Sequence, residues 1–86
     1  MILVGIDVAK AKHDCFIQTA DGKVLFKSFS FANNYEGSEE LYAKILSCDD
    51  ADVRGSLEST GHYSYNLLGF LHNKELPTYL KINTLP

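Results

Sequence analysis

No apolar run in this 86-residue sequence approaches the roughly 20 residues that a membrane-spanning helix needs. Residues 1–8 also lack the basic start and small-residue cleavage site of a signal peptide. Both absences lead us to expect a cytoplasmic chain with no membrane partner. Dense basic clusters are missing too. Eight Lys and Arg stand against eleven Asp and Glu, a net charge of −3, and the cations are scattered from Lys10 to Lys81. A chain of that charge without a basic stripe neutralises few phosphates, so little non-specific affinity for nucleic acid is expected. The only two cysteines, Cys15 and Cys48, are far apart and form no Cys-x-x-Cys spacing, which argues against a zinc site. Buried free thiols in a reducing compartment are the main reading, and one disulfide is the alternative. Also missing are a Gly-x-x-x-x-Gly-Lys phosphate loop, a Gly-x-Ser-x-Gly nucleophile turn and a His-x-x-x-His ligand pair. No repeat or low-complexity segment suggests a solenoid or a linker.

What the chain does contain is the composition of an ordinary globular protein, 45% apolar and 22% charged. Its length suits one domain, or part of one, spanning residues 1–86. The near-continuous apolar run Ile2 to Val8 predicts a central strand covered on both faces. Cys15 to Thr19 and Val24 to Phe31 continue the β pattern around a tight hairpin at Asp21-Gly22. Strict alternation would place Leu25, Lys27, Phe29 and Phe31 on one face of that third strand and Val24, Phe26, Ser28 and Ser30 on the other. Leu41, Ile45 and Cys48 then recur at helical spacing beside Tyr42 and Leu46, in a helix beginning between Asn34 and Ser38. Val53 to Leu57 returns to strand. Ser59-Thr60-Gly61 is expected to turn and cap a second helix that buries Tyr63, Leu67, Leu68, Phe70 and Leu71. Pro77 bars its continuation, and Thr78 to Ile82 supplies a last strand. The order β-β-β-α-β-α-β predicts an α/β mixed sheet with helices packed on it.

Two acids stand out. Asp7 lies inside an apolar strand, where an ionised carboxylate is costly unless it reaches solvent, a partner or a metal. The bland alternative, a turn-capping Asp, is as well supported by the residue alone. Glu58 falls at the carboxyl end of the fourth strand, where ligand sites of layered α/β folds gather. Taken alone it is better read as an exposed acid near a helix start. If the first and fourth strands are parallel neighbours, however, the two carboxylates emerge together and suit a hard divalent cation. His62 follows Glu58 by four positions, and a contact to that site is weighed against a helix-start role.

The segments Val4-Gly5-Ile6-Asp7-Val8-Ala9-Lys10 and Leu57-Glu58-Ser59-Thr60-Gly61-His62-Tyr63, the latter followed by Leu67, Leu68 and Leu71, resemble the DEDD transposases of bacterial insertion sequences, the group numbered one hundred and ten. The resemblance covers nearly the whole chain, and its second motif is the more specific. It implies a ribonuclease-H-like fold similar to the Holliday-junction resolvase RuvC, in which four acids bind Mg2+ or Mn2+. Asp7 would be the first of these acids and Glu58 the second. The other two aspartates would lie further along, so residues 1–86 would be the amino-terminal portion of the catalytic domain, with its carboxyl-terminal part missing. The resemblance further implies metal-dependent cleavage and transfer of DNA strands by the longer protein, a guide-type RNA, DNA ends and target as partners, and a homo-oligomer. On that view this chain alone would neither cut nor join DNA.

Two other classes fit parts of the sequence. Actin-like ATP-binding domains also begin with an apolar strand ending in Asp, but here Asp7-Val8-Ala9-Lys10-Ala11 lacks the glycine that brings backbone close to phosphate. A non-enzymatic remnant or interaction module would suit the short length and acidic balance.

Overall fold

The computed structural model describes residues 1–59 and 63–82. Five strands and two helices alternate as β1 (Ile2–Val8), β2 (Lys12–Thr19), β3 (Val24–Ala32), α1 (Tyr35–Ser47), β4 (Val53–Ser59), α2 (Tyr65–Asn73) and β5 (Thr78–Ile82). They form one mixed sheet in the order β3-β2-β1-β4-β5. The first three strands run antiparallel through short turns, whereas β4 and β5 join the other edge in parallel, each after a helix. That division follows the connections, since a parallel neighbour needs a crossover longer than a hairpin.

Alternation decides what the sheet buries. Ile2, Val4, Ile6 and Val8 of β1 point to one face with Cys15 and Ile17 of β2, Val53 and Leu57 of β4, and Phe31 of β3. Leu41 and Ile45 of α1 and Leu67 and Leu71 of α2 complete this single cluster. The apolar cluster therefore lies on one side of the sheet. On the other side Asp7, Asp14, Phe16, Arg54, Ser56 and Glu58 are exposed. The expectation that β1 is covered on both faces is thus corrected: among the described residues its second face, with Leu3, Gly5 and Asp7, is only half-buried or exposed. The continuous apolar look of the segment came from Leu3 and from Gly5, which has no side chain to place.

Helix α1 begins where the sequence pattern places it. Asn34 is its N-cap, and the side-chain oxygen accepts the Gly37 N–H at 2.7 Å. Leu41 and Ile45 are buried, Tyr42 is half-buried, and Leu46, expected beside them, is exposed. Phe70 of α2 meets the rings of Tyr35 and Tyr42 edge-on, at 5.9 and 6.2 Å, which ties the helices together.

Helix α2 starts later than the sequence suggested. Its N-cap residue is Ser64, so Tyr63 precedes the helix and is 43% exposed instead of packed with Leu67. Leu68 and Phe70 are half-buried. Strand β3 also departs from strict alternation. The β2–β3 register passes from Cys15↔Phe29 to Ile17↔Phe26 and then to Gln18↔Val24, with an irregularity at each step. These bulges insert extra residues in β3 and bring Phe26 round to the face of Phe29, where the two rings meet at 6.0 Å. The two thiols are free, Cys15 buried and Cys48 half-buried. Among the described residues no helix is long and apolar enough to cross a membrane.

Candidate active site

Strands β1 and β4 lie side by side and parallel, in the register Ile6↔Leu57, Asp7↔Glu58, Val8↔Ser59. Ile6, Leu57, Val8 and Ser59 all turn inward and are buried, so the two acids between them must turn outward. Asp7 and Glu58 are therefore direct cross-strand neighbours, both exposed on the open face. This is the arrangement that the parallel-neighbour condition demanded. His62, the third residue singled out in the sequence, lies outside the described residues.

A third acid occupies the same line. Asp14 of β2 is the antiparallel partner of Asp7, and Ser30 of β3 faces Asp14 in turn. Lys81 of β5 is the neighbour of Glu58. One row across the open face thus reads Ser30, Asp14, Asp7, Glu58, Lys81. The Ser30 hydroxyl donates to the Asp14 carboxylate at 2.6 Å. Three carboxylates on adjacent strands repel one another, and like charges placed directly opposite weaken a sheet pair. The sequence did hold a signal for Asp14: hairpin pairing of β1 with β2, combined with inward Cys15 and Ile17, puts residue 14 outward beside residue 7.

The acids rim a groove of about 570 Å³ lined by Asp7, Asp14, Phe16, Ser28, Ser56 and Glu58 among others. Its chemistry is that of oxygen ligands open to water on a rigid sheet. Asp7 and Glu58 fit as two carboxylate ligands of a hard divalent cation, which takes oxygen donors and tolerates several waters. They do not form a closed cage, because among the described residues no group of three His, Cys, Asp or Glu could hold a metal ion.

Beneath the groove the sheet end is tied by His13. Its side chain is fully buried, and Nδ1 accepts the Ala9 N–H at 3.1 Å, just past Asp7. The ring rests edge-on against Phe31 at 5.1 Å. Burial lowers the imidazole's pKa below its usual 6.5, opposed by the Asn33 side chain and the Asp14 charge. The neutral tautomer that accepts at Nδ1 carries its proton on Nε2, which is buried with no partner among the described residues, as are the hydroxyls of Ser59 and Ser64.

The family model for IS110-type DEDD transposases, described as Transposase, matches residues 4–85. No curated protein matches the sequence. Among solved structures, the fowlpox virus Holliday junction resolvase superposes with a TM-score of 0.57 at 15% identity, over 100% of this chain and 64% of that one. RuvC from Thermus thermophilus gives 0.53 at 15% identity, over 95% of this chain and 64% of that one. Pelota from Archaeoglobus fulgidus gives 0.60 at 13% identity, over 99% of this chain and 27% of that one. At such identities the likeness is one of fold: an α/β, ribonuclease-H-like mixed sheet of the RuvC type. The chain spans about two thirds or less of the length of each of these structures.

Proposed function

Since the chain belongs to the IS110-type DEDD transposase family, we propose that Asp7 and Glu58 are two of the acids with which the longer protein cleaves and transfers DNA strands during transposition. The observation that carries this reading is the Asp7↔Glu58 pairing on the two parallel strands at the centre of the sheet. Each acid lies in one of the two segments that resemble the family's acidic motifs, and both segments fall within the matched residues 4–85. On this reading residues 1–86 are the amino-terminal portion of the catalytic domain, in keeping with their covering 64% of each resolvase.

The residues have definable tasks. Asp7 and Glu58 would hold Mg2+ or Mn2+, with water and further acids of the longer protein completing the shell. When bound, such ions lower the pKa of an attacking water and stabilise charge on the oxygens of an in-line displacement. The sheet contributes rigidity: inward-packed Ile6 and Leu57 fix the direction of the carboxylates before any ligand arrives. Asp14 adds negative charge beside Asp7 and so strengthens the site's preference for a cation. His62, outside the described residues, is the one further residue for which a supporting role at this site is proposed. DNA ends, target DNA and a guide-type RNA would be partners of the longer, homo-oligomeric protein in the cytoplasm. This chain alone would neither cut nor join DNA.

Titration with Mg2+, followed by backbone NMR, tests the assignment. Shifts should centre on residues 7 and 58 and disappear in Asp7→Asn. Shifts confined to the acidic turn at Asp49, Asp50 and Asp52 would remove the metal from the proposed site. In the longer protein Asp7→Asn should abolish Mg2+-dependent strand cleavage, and retained cleavage would refute the role of Asp7.

A further inference from the structure

One row back from the acids, the open face changes character. Phe16 of β2 pairs with Gly5 of β1, Gly5 with Ser56 of β4, and Ser56 with Tyr79 of β5. This row therefore carries an aromatic ring at each end and almost no side chain between them. Phe16 and Tyr79 are 45% and 68% exposed, although the alternate residues Cys15 and Ile17 beside Phe16 are fully committed to the core. A Cβ at residue 5 would overlap the Phe16 ring, so the glycine is what lets that ring lie down against the sheet. The ring and Ser56 belong to the same groove as Asp7 and Glu58. Its volume of about 570 Å³ lies within the roughly 300–1,000 Å³ typical of clefts that enclose small organic ligands. Two residues along a strand is about 7 Å, so the aromatic surface stands one side-chain row from the carboxylates.

We propose that this trough receives the base or sugar of the nucleotide beside the phosphate under attack, packed on Phe16 above the Gly5–Ser56 floor. The inference rests on the catalytic reading of Asp7 and Glu58 and deepens it by naming positioning residues. Charge on the face gives the strand a direction. Lys81 neighbours Glu58, and Arg54 neighbours Leu3 beyond the aromatic row, so a cation stands on each side of the trough along β4 and β5, the one at the acid row beside Glu58, while Asp7 and Asp14 lie on β1 and β2. Arg54 is only loosely engaged, with Nε 3.6 Å from an Asp52 oxygen and both side chains more than half exposed. A phosphate backbone laid along β4 and β5 meets Arg54 at one end and the Lys81–Glu58 pair at the other, where the metal of the proposed site would stand between phosphate and carboxylate, and it keeps clear of Asp14. A base can lay its face on Phe16 only when it is unpaired from the opposite strand and unstacked from its neighbour, so the trough selects an unpaired nucleotide. Every base has a π-face, so selection among the four bases is weak.

The test uses this chain in low-salt Mg2+ buffer with a short single-stranded deoxyoligonucleotide bearing one 2-aminopurine, and the same sequence as a duplex. Ring protons of Phe16 and amides of Gly5 and Ser56 should shift with the single strand and much less with the duplex. Phe16→Leu should weaken binding by about tenfold, the scale of one lost base–aromatic stack, and Phe16→Trp should preserve it. Thermal unfolding of each variant checks that the sheet is intact. In the double variant Asp7→Asn, Glu58→Gln the metal response should vanish while the Phe16 shifts persist, because stacking needs no carboxylate. Shifts that miss Phe16, no binding at millimolar oligonucleotide, or a Phe16→Leu chain that binds as wild type would each overturn the proposal. Stacking at Phe16 without any Mg2+ response at residues 7 and 58 would support the trough and refute the catalytic reading.

Discussion

Lowering the pH should loosen the sheet end that carries Asp7, and His13 is the reason. Its imidazole is buried, accepts the Ala9 N–H at Nδ1, and has its pKa lowered chiefly by desolvation. A group whose folded pKa is depressed favours the unfolded chain once the unfolded form protonates. Stability is then complete above the usual 6.5 and declines as the pH falls below it. One proton taken up on unfolding limits the slope to about 1.4 kcal/mol per pH unit. For a small domain, with roughly 4–8 °C per kcal/mol, that is a fall in Tm of up to about 5–10 °C per unit. Protonation also turns Nδ1 from acceptor to donor, facing the Ala9 N–H with a like group. The substitution His13→Leu separates this effect from carboxylate titration. It removes one satisfied acceptor, leaving Ala9 N–H unpaired at about 1–3 kcal/mol, but it also removes the Nε2–H, which is buried with no partner among the described residues and whose burial costs on the same scale. The two nearly cancel, so His13→Leu should have wild-type stability at pH 7.5 to within about 1 kcal/mol and a flatter profile from pH 6.5 to 5. Thermal unfolding monitored by circular dichroism at half-unit pH steps measures both. Identical profiles for the two chains would refute the argument.

Thiol labelling should proceed in a fixed order: Cys48, half-buried at the end of α1, reacts with an aromatic disulfide reagent at pH 8, whereas Cys15, buried with its thiol pushed up to about 12, reacts only on unfolding. Equal rates in the folded chain would contradict the packing of β2. Gly37→Ala should be among the most damaging small substitutions, because a Cβ there would overlap the Ala32 backbone at the junction of β3 and α1. A loss of about 1–3 kcal/mol in urea unfolding is expected for such overpacking, and an unchanged midpoint would show that the junction relaxes freely.

The parts of the fold legible in the sequence are those written in local chemistry. The Asp21-Gly22 turn, the Asn34 cap and Pro77 set the ends of elements, and element order followed from them. The acid pair was legible conditionally, because Asp7 and Glu58 meet only if β4 joins β1 in parallel, a long-range event that no short window encodes. Three features escaped for physical reasons. The bulges in β3 change the face of Phe26 through an unpaired backbone residue, and alternation has no term for that. Tyr63 shares a helical phase with Leu67 but lies before the helix begins. Phe16 was not singled out within its apolar run, and the room for its ring on the open face comes from Gly5 opposite, a partner identifiable only once the hairpin register is known.

That register also explains why the acids face outward. Slipping β4 by one residue against β1 would exchange the faces of every side chain on it, sending Glu58 and Arg54 inward and Leu57 and Val53 out. Leu57 and Ile6 are cross-strand partners in the buried cluster, and an unpaired carboxylate in their place carries a desolvation cost of several kcal/mol. The apolar residues flanking each acid are therefore the device that aims it: Ile6 and Val8 hold Asp7 outward, as Leu57 and Ser59 hold Glu58. The same constraint acts on β2, where inward His13 and Cys15 turn Asp14 outward. Three like charges on one row cost stability that a protein selected for folding alone would avoid. The core enforces that row, with Lys81 beside Glu58 and the Ser30 hydroxyl on Asp14 to offset part of its repulsion; on the proposed reading a bound cation would offset the rest.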